Sequence, residues 1–302
     1  MLAVQFDRFG PPEVLHLAEA ADPHPGPGEI RIRVRAAGIS PVDLAIRAGK
    51  SPTPRPLPHI PGVDAAGVVD EIGAGVTGCS VGDEVFGTVP LTRLGGATAE
   101  LAVLSAWIRR PASMPWPEAG AAGTSIETAT RALDRLDAAP GAKLLITGAA
   151  GGVGSVAVQL AVARGLIVYG TARAESHEFV ASLGATPLPR ELGSQRPGAF
   201  DHALDTAGGG LLPDLIALTG TAAKVLTLAD FGGPALGVAL SMGELAGEPS
   251  GRPGLAAAAA LAERGRFRVP IQAAYPMARA ADAHRAVESA PRRGKTVITT
   301  AG

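Results

Sequence analysis

The chain has 302 residues, too many for one ordinary hydrophobic core, so two domains are expected. Hydrophobic residues make up 46% and charged residues 18%, the balance of a soluble globular protein. The formal net charge of −1 supplies no basic surplus, which excludes a nucleic acid or an anionic membrane surface as the expected partner.

In chain order, the opening MLAVQFDRFG lacks the charged segment and apolar core of a secretory signal. No apolar run reaches the roughly 18 residues that would span a bilayer. With a single cysteine, Cys79, neither an intrachain disulfide nor a cysteine metal cage is expected, and a reducing cytoplasm is the default compartment. Ile30 to Ala36 (IRIRVRA) alternates strictly and reads as a half-buried strand; 63–72 and 83–89 are further strand candidates between glycine-rich turns. SPTPRPLPHIPG holds five prolines and must be an irregular surface loop. From about Pro117 the pattern changes. A helical period over 118–136 is followed by alternating segments: strand 143–147, helix 152–164, strand 166–170, helix 175–183, strand 202–205, helix 211–218 and strand 224–228. Such alternation implies a doubly wound parallel sheet with helices on both faces. After Arg252 it stops, leaving a helix over 255–264, a helix over 278–289 and a last strand over 296–300. The basic cluster PRRGK (291–295) reads as a solvated turn. The expected division is residues 1–116 with 253–302 as one domain and 117–252 as the other.

The chemistry is most legible in LLITGAAGGVGSVAVQLA, where strand, small-residue turn and helix follow one another. Ala149, Gly151 and Gly154 have the spacing A-x-G-x-x-G. The first small residue allows the tight turn, the second lets backbone approach a pyrophosphate, and the third lets the helix pack on the sheet. The helix N-terminus offers free N–H groups and partial positive charge. Ala149, Ala150, Gly151, Gly152, Val153 and Gly154 are therefore the expected dinucleotide cradle. A site for NAD wants an acid at the end of the next strand, about 20 residues on. Here Thr171, Ala172 and Arg173 stand there, and Glu175 reads as the first-turn acid of the next helix. An arginine beside a small neutral residue suits a 2′-phosphate, with His177 in reach, so NADPH is the expected cofactor; the other reading of Arg173 is a solvated loop cation. Asp205, Ala229, Asp230 and Phe231 lie at carboxyl ends of later strands, where cofactor contacts gather in such sheets. Asp230 either touches the cofactor or ends its strand.

Several blocks then fall in one order: FGPPEVLHL, PGPGEIRIRVRAAGISPVDLAIRAG, IPGVDAAGVVDEIGAGVTGCSVGDEVFG, GGATAELAV, GAKLLITGAAGGVGSVAVQLA, FDHALDTAGG and AADAHRAVESAPRRGKTVITT. With them the chain resembles the zinc-free, quinone oxidoreductase branch of the medium-chain dehydrogenase/reductase superfamily over nearly its whole length. The resemblance implies an α/β protein: a GroES-like β-rich catalytic domain, a Rossmann domain and a C-terminal return to the first. Zinc-dependent relatives carry cysteine where Ser40 stands and histidine where Val63 stands, so no metal site is expected. Without a Lewis acid the accessible acceptors are already electrophilic: a quinone or an α,β-unsaturated carbonyl.

The resemblance also supplies the remaining candidates. Ser40 either donates a hydrogen bond to the acceptor's carbonyl oxygen or is a turn residue before Pro41. Asp43 matches the family's aspartate and orders the backbone rather than moving a proton. Thr128, in IETATRAL, would hydrogen-bond near the nicotinamide. Glu127 beside it is either an acid of raised pKa or a solvated helix residue. Asparagine and tyrosine positions common in quinone reductases are Ser40, Ala45 and Ser51 here, which widens the expected pocket. That leaves open an enoyl reductase for a specialised, secondary-metabolite substrate, and a dinucleotide-binding protein with little catalysis. A homodimer, with FGGPALGVAL as candidate contact, is inherited from the resemblance.

Overall fold

A computed structural model describes residues 1–51, 55–193, 196–289 and 293–300. Part of the proline loop (52–54) and Pro291 and Arg292 of the basic cluster lie outside the described residues.

The chain opens with a hairpin of β1 (Leu2–Gln5) and β2 (His16–Glu19). It continues through β3 (Ile30–Gly38), α1 (Pro41–Arg47), β4 (Asp64–Ile72), β5 (Glu84–Thr88), β6 (Leu101–Leu104), β7 (Ala106–Arg109) and α2 (Trp116–Gly120). Then α3 (Gly123–Leu136), β8 (Lys143–Thr147), α4 (Gly152–Ala163), β9 (Ile167–Thr171), α5 (His177–Ser182), β10 (Thr186–Leu188) and β11 (His202–Asp205) follow. After them come α6 (Leu212–Thr219), β12 (Val225–Thr227), β13 (Ala239–Leu240), α7 (Gly254–Glu263), β14 (Ile271–Pro276), α8 (Ala280–Ser289) and β15 (Lys295–Thr299). Two compact units result: Met1–Thr124 with Leu255–Gly302, and Ser125–Gly254.

The first unit is built on a sheet of order β14-β15-β3-β4-β5-β7, with β6 also paired to β3. The alternation in IRIRVRA does what its period requires: Ile30, Ile32 and Val34 are buried while Arg31, Arg33 and Arg35 are not. One core gathers Val4, Phe6, Ile30, Ile32, Val69, Val85 and Leu104 from the first part of the chain. Met277, Ala280, Ala283 and Ile298 from the C-terminal part complete it. The return of the last segment is thus a matter of apolar burial, at about 25 cal/mol per Å2 of apolar surface.

The second unit is a six-stranded parallel sheet of order β10-β9-β8-β11-β12-β13. Its central strands β8 and β11 are buried through Leu144, Leu145 and Ile146 on the one and Ala203 and Leu204 on the other. Leu145, Ala203, Leu212, Leu215, Leu218, Val225 and Val238 form one of its cores.

Two sequence expectations meet a difference here. The helical period over 118–136 is two helices, α2 and α3, interrupted at Ala121–Ala122. The cause is close packing: a Cβ on Gly120 would lie 2.5 Å from the Ala36 carbonyl oxygen, and one on Gly38 would lie 2.7 Å from Ala121 Cα. α2 is pressed onto β3, and Glu118 accepts the Val269 N–H at 2.9 Å. Those contacts draw 117–124 into the first unit, so the units divide at Thr124/Ser125 and Gly254/Leu255 rather than at 116/117 and 252/253. Among the described residues, no helix is long and apolar enough to cross a membrane.

Candidate active site

The sequence candidates fall into two centres, one in each unit. In the second unit the glycine turn joins β8 to α4. Gly148 sits at φ +66, the left-handed region that favours glycine. Its N–H reaches Thr171 Oγ1 at 3.3 Å, and Gly151 N–H returns to the Gly148 carbonyl at 2.9 Å. The Ala149 N–H bonds the Thr171 carbonyl at 3.1 Å, which ties the turn to the end of β9. A Cβ on Gly154 would come within 2.2 Å of the Gly148 carbonyl oxygen, whereas one on Gly151 would meet that oxygen at 3.2 Å. The third glycine is therefore the strictest. Gly170 on β9 is similar, its added Cβ lying 2.6 Å from Ala149 Cβ. Gly151 caps α4 without a side-chain hydrogen bond, and Ser155 N–H makes the first bond back, to Gly151. The N–H groups of Gly152, Val153 and Gly154 precede the helical ladder, as the first turn of any helix requires. Gly151, Gly152 and Val153 are part-exposed.

At the end of β9, Thr171 and Ala172 are buried and Arg173 turns outward, its side chain 48% exposed. Glu175 stands 3.9 Å away, at the limit of an ion pair between two exposed groups and worth little. His177 is oriented toward the Ala172 carbonyl at 3.3 Å. Arg173 is thus a near-free guanidinium beside the cradle strand.

Asp205 is a different case. Its carboxylate is fully buried and accepts from Thr147 Oγ1 at 2.6 Å, Thr227 Oγ1 at 2.7 Å, and the N–H groups of Ala207 and Gly208 at 3.1 and 2.9 Å. Four donors saturate it, so the expected cofactor contact is a positioning residue that knots the carboxyl ends of β8, β11 and β12. Thr147 and Thr227 are its partners; a threonine closing each of two apolar strands was the available signal. Thr227 Oγ1 also accepts from Ala229 and Asp230 N–H, and Asp230 closes a turn by accepting the Gly232 N–H at 2.9 Å. Phe231 is 71% exposed.

Glu127 does not stand as an isolated carboxyl. Arg131, itself buried, donates to it from Nε at 2.9 Å; Gly251 N–H donates at 3.1 Å and the Thr128 hydroxyl at 3.1 Å. Arg131 also pairs with Glu248 at 3.0 Å and touches Ser241. This network pins the loop after β13 to α3, and it commits both Glu127 and the Thr128 hydroxyl hydrogen.

The first unit holds the other centre. Gly38 pairs with Asp64 on β4 and with Val297 on β15, so the C-terminal end of β3 and the N-terminal ends of its neighbours converge. Ser40, Asp64 and Lys295 meet there, all buried. Lys295 Nζ donates to Ser40 Oγ at 2.8 Å and lies 3.5 Å from Asp64 Oδ2; Ser40 Oγ donates to the same oxygen at 3.2 Å. The Thr124 N–H donates to Asp64 Oδ1 at 2.6 Å, and its hydroxyl bonds the same atom. Asp43 lies beside them. It accepts the Ser40 N–H at 2.8 Å, closing the N-terminal turn of α1, and the Gly62 N–H at 2.9 Å. Burial pushes its carboxyl up to about 7; the charge of Asp64 adds to this, while the two N–H groups and Lys295 oppose it. The two bonds tie Asp43 to the backbone at Ser40 and Gly62. Lys295, Asp64 and Thr124 escaped the sequence reading. The signal was present: Lys295 and Asp64 are charged residues that each open an apolar strand.

Among the described residues, no three histidine, cysteine, aspartate or glutamate side chains converge as metal ligands.

Two family models match: the alcohol dehydrogenase GroES-like domain over residues 26–111 and the zinc-binding dehydrogenase over 177–298. The chain is 33% identical over 241 residues to 2-methylene-furan-3-one reductase of Solanum lycopersicum, covering 75% of this chain and 62% of that protein. It is 38% identical over 184 residues to quinone oxidoreductase of Sus scrofa, covering 60% of this chain and 55% of that one. It therefore spans rather more than half the length of these relatives. The structure of the quinone oxidoreductase from Coxiella burnetii superposes with a TM-score of 0.86 at 26% identity, over 99% of both chains. One matched description names zinc, and the residues of the polar centre do not fit it. Ser40 is a neutral hydroxyl, Val63 has no donor atom, and the Asp64 carboxylate already carries an ammonium and two hydroxyl groups.

Proposed function

The chain belongs to the medium-chain dehydrogenase/reductase superfamily as a quinone oxidoreductase-like protein, and we propose that it is an NADPH-dependent reductase that works without zinc on quinones and activated enones. Members of the superfamily bind a nicotinamide cofactor, and the glycine turn fits one: its N–H groups are free of the helical ladder and Gly154 leaves no space for a side chain. The observation that carries the choice of NADPH is Arg173, exposed at the end of β9 where an NAD site would hold an acid.

In this reading bound NADPH supplies a hydride. The N–H groups of Gly152, Val153 and Gly154 hold the pyrophosphate. Arg173 holds the 2′-phosphate through charge-assisted hydrogen bonds. Asp205 holds the strand ends in register. Without a divalent metal, acceptors must be electrophilic before they bind, and the names of the tomato and pig relatives, an enone-type reductase and a quinone oxidoreductase, support that class. Phe231, Leu236 and Met242 flank the edge strand β13 and are exposed, which supports pairing with a second copy through that edge.

The test is binding and turnover together. Arg173→Ala is expected to weaken NADPH by about 10- to 100-fold and NADH by little, because a charge-assisted hydrogen bond is worth roughly 1.5–3 kcal/mol. Equal weakening of both cofactors sinks the 2′-phosphate assignment. Turnover of quinones or enones that survives exhaustive chelation supports independence from zinc, and its loss on chelation contradicts it. Light scattering reads the dimer: a monomer at micromolar concentration removes it.

A further inference from the structure

The last residues of β9 are held from several sides. Gly170 lies against the glycine turn: a Cβ there would stand 2.6 Å from Ala149 Cβ and 2.9 Å from Val180 Cγ1. The Ala172 N–H donates to the Leu188 carbonyl on β10 at 3.0 Å, and the Ala172 carbonyl faces His177 Nε2 at 3.3 Å. Arg173 is extended, and its carbonyl accepts the Ser176 N–H at 2.9 Å. The backbone of Arg173 is therefore anchored while its side chain stays 48% exposed. Thr171 is the joint between this anchored strand end and the turn, and it is 3% exposed. Its Oγ1 accepts the Gly148 N–H at 3.3 Å and its carbonyl accepts the Ala149 N–H at 3.1 Å. One residue thus grips two successive N–H groups where the turn leaves β8, with its side chain and its main chain together. The threonines near the other strand ends are used differently. Thr147 and Thr227 direct their hydroxyls to Asp205, and Thr206 directs its own to the Thr147 carbonyl. Of these threonines, Thr171 is the one hydrogen-bonded to the glycine turn.

We propose that Thr171 is a specificity-determining positioning residue: it fixes the span between the glycine turn and Arg173, so that the pyrophosphate and the 2′-phosphate of NADPH are held at the same time. The assignment rests on the reading of Arg173 above. In NADPH the two phosphate groups are joined through one ribose, so the distance between them varies over a narrow range. A protein gains from both only if its two subsites keep the matching distance. Once the pyrophosphate is seated, the second contact is then intramolecular and has a high effective concentration. A turn that shifts relative to the end of β9 still takes a pyrophosphate, but it carries the adenosine away from Arg173. The fork of an arginine is directional, so misplacement loses hydrogen bonds that a point charge would keep. The turn does not keep the span by itself: Gly148 sits at φ +66, and glycine has more backbone freedom than any other residue. Thr171, two residues before Arg173 on the same strand end, supplies the constraint. NADH has no 2′-phosphate and uses the turn alone, so the span matters to NADPH more than to NADH.

The test reads equilibrium binding of NADPH and NADH to the full-length chain by isothermal titration, without turnover. Thr171→Val keeps the shape and removes the oxygen that accepts the Gly148 N–H. It is expected to weaken NADH slightly and NADPH by a further factor of about 3 to 10, the size of coupling between neighbouring groups, so that the ratio of NADPH to NADH affinity falls by that factor. Thr171→Ser, which keeps the oxygen, is expected to restore the wild-type ratio. In the Arg173→Ala background, where no 2′-phosphate contact is left, Thr171→Val is expected to weaken both cofactors alike. A purely structural role lowers the melting temperature and leaves the ratio where it was, so an unchanged ratio in a folded Thr171→Val overturns the proposal. So does an equal fall of the ratio in Thr171→Ser, or a further selective loss of NADPH in the Arg173→Ala background. If Thr171→Val does not fold, Thr171→Ala takes its place in the same titrations; if neither folds with saturating NADPH present, Thr171 serves the fold alone and the proposal is overturned. An Arg173→Ala variant that weakens NADPH and NADH equally overturns the 2′-phosphate reading together with this one. A selective effect of Arg173→Ala with no change of ratio in Thr171→Val overturns only this one.

Discussion

The glycine turn of the second unit and the polar centre of the first are assembled in opposite ways. Gly148, Gly151 and Gly154 lie within seven consecutive residues, and their geometry is a property of local backbone: one positive φ, one close approach, one helix start. Ser40, Asp64, Thr124 and Lys295 are drawn from four separate parts of the chain, with Ser40 and Lys295 255 residues apart. They meet only because Gly38 is paired on both sides, with Asp64 on β4 and Val297 on β15. In the reading proposed above, the first centre uses the absence of side chains to admit a ligand's phosphates. The second uses long-range strand register to hold buried charges in place. A local motif survives as long as its turn does; a long-range cluster depends on the whole sheet.

The contrast can be broken most severely at Gly154. Valine there drives a Cβ to 2.2 Å from a backbone oxygen, so the helix must move away from the sheet. Overpacking of this kind costs about 1–3 kcal/mol or more, and cofactor binding should be abolished in isothermal titration even where the protein folds. Gly151→Ala, with 3.2 Å to the same oxygen, should fold normally and weaken the cofactor only by crowding the close backbone approach to its pyrophosphate. Asp205→Ala comes next. It strips one acceptor group from four buried donors, and chemical denaturation should report a loss of roughly 3 kcal/mol, since each unsatisfied buried donor costs about 1–3 kcal/mol and the hydroxyls can turn elsewhere. A loss below about 0.5 kcal/mol would mean that the carboxylate is not the knot of the strand ends.

An effect of pH, confined to the first unit, concerns Asp43. Its carboxyl is raised from an ordinary 3.8 to about 7, so the folded state holds the proton more tightly than the unfolded chain does. The stabilisation from that proton is complete below pH about 3.8 and is lost as pH rises through about 7. Urea melts across this window should show stability falling with pH in the wild type, with that fall missing in Asp43→Asn. An identical pH slope in both proteins would remove the raised carboxyl from the account. The smallest change is Arg173→Ala, which should leave the melting curve untouched and act on NADPH alone.

The same contrast explains what was legible in the sequence. The strands and helices of the second unit follow from period and punctuation, and the turn from three spaced small residues, because all of that information is local. The two-residue β13 is too short to carry a period. The break between α2 and α3 was hidden because Gly120 and Gly38 owe their smallness to each other's neighbours across the fold. From sequence Asp205 reads as a ligand contact, since a carboxylate at a strand end looks the same whether it faces a ribose or two threonines 58 and 22 residues away. From sequence Glu127 reads as either a titrating acid or a solvated helix residue; its partners Glu248 and Ser241, reached through Arg131, lie more than a hundred residues on. Lys295 lay in a short basic cluster whose plain reading was a solvated turn. Only the register of β15 against β3 turns it inward.

The most direct measurement of the central claim is the oxidation of NADPH, followed by its absorbance, by the chelator-treated wild-type chain with a panel of quinones, enones and enoyl thioesters, with NADH run in parallel. The account predicts turnover of at least one quinone or enone, faster at low cofactor concentration with NADPH than with NADH, and unchanged by added zinc. Binding of NADPH without turnover on any acceptor, or turnover that appears only when zinc is restored, would contradict it.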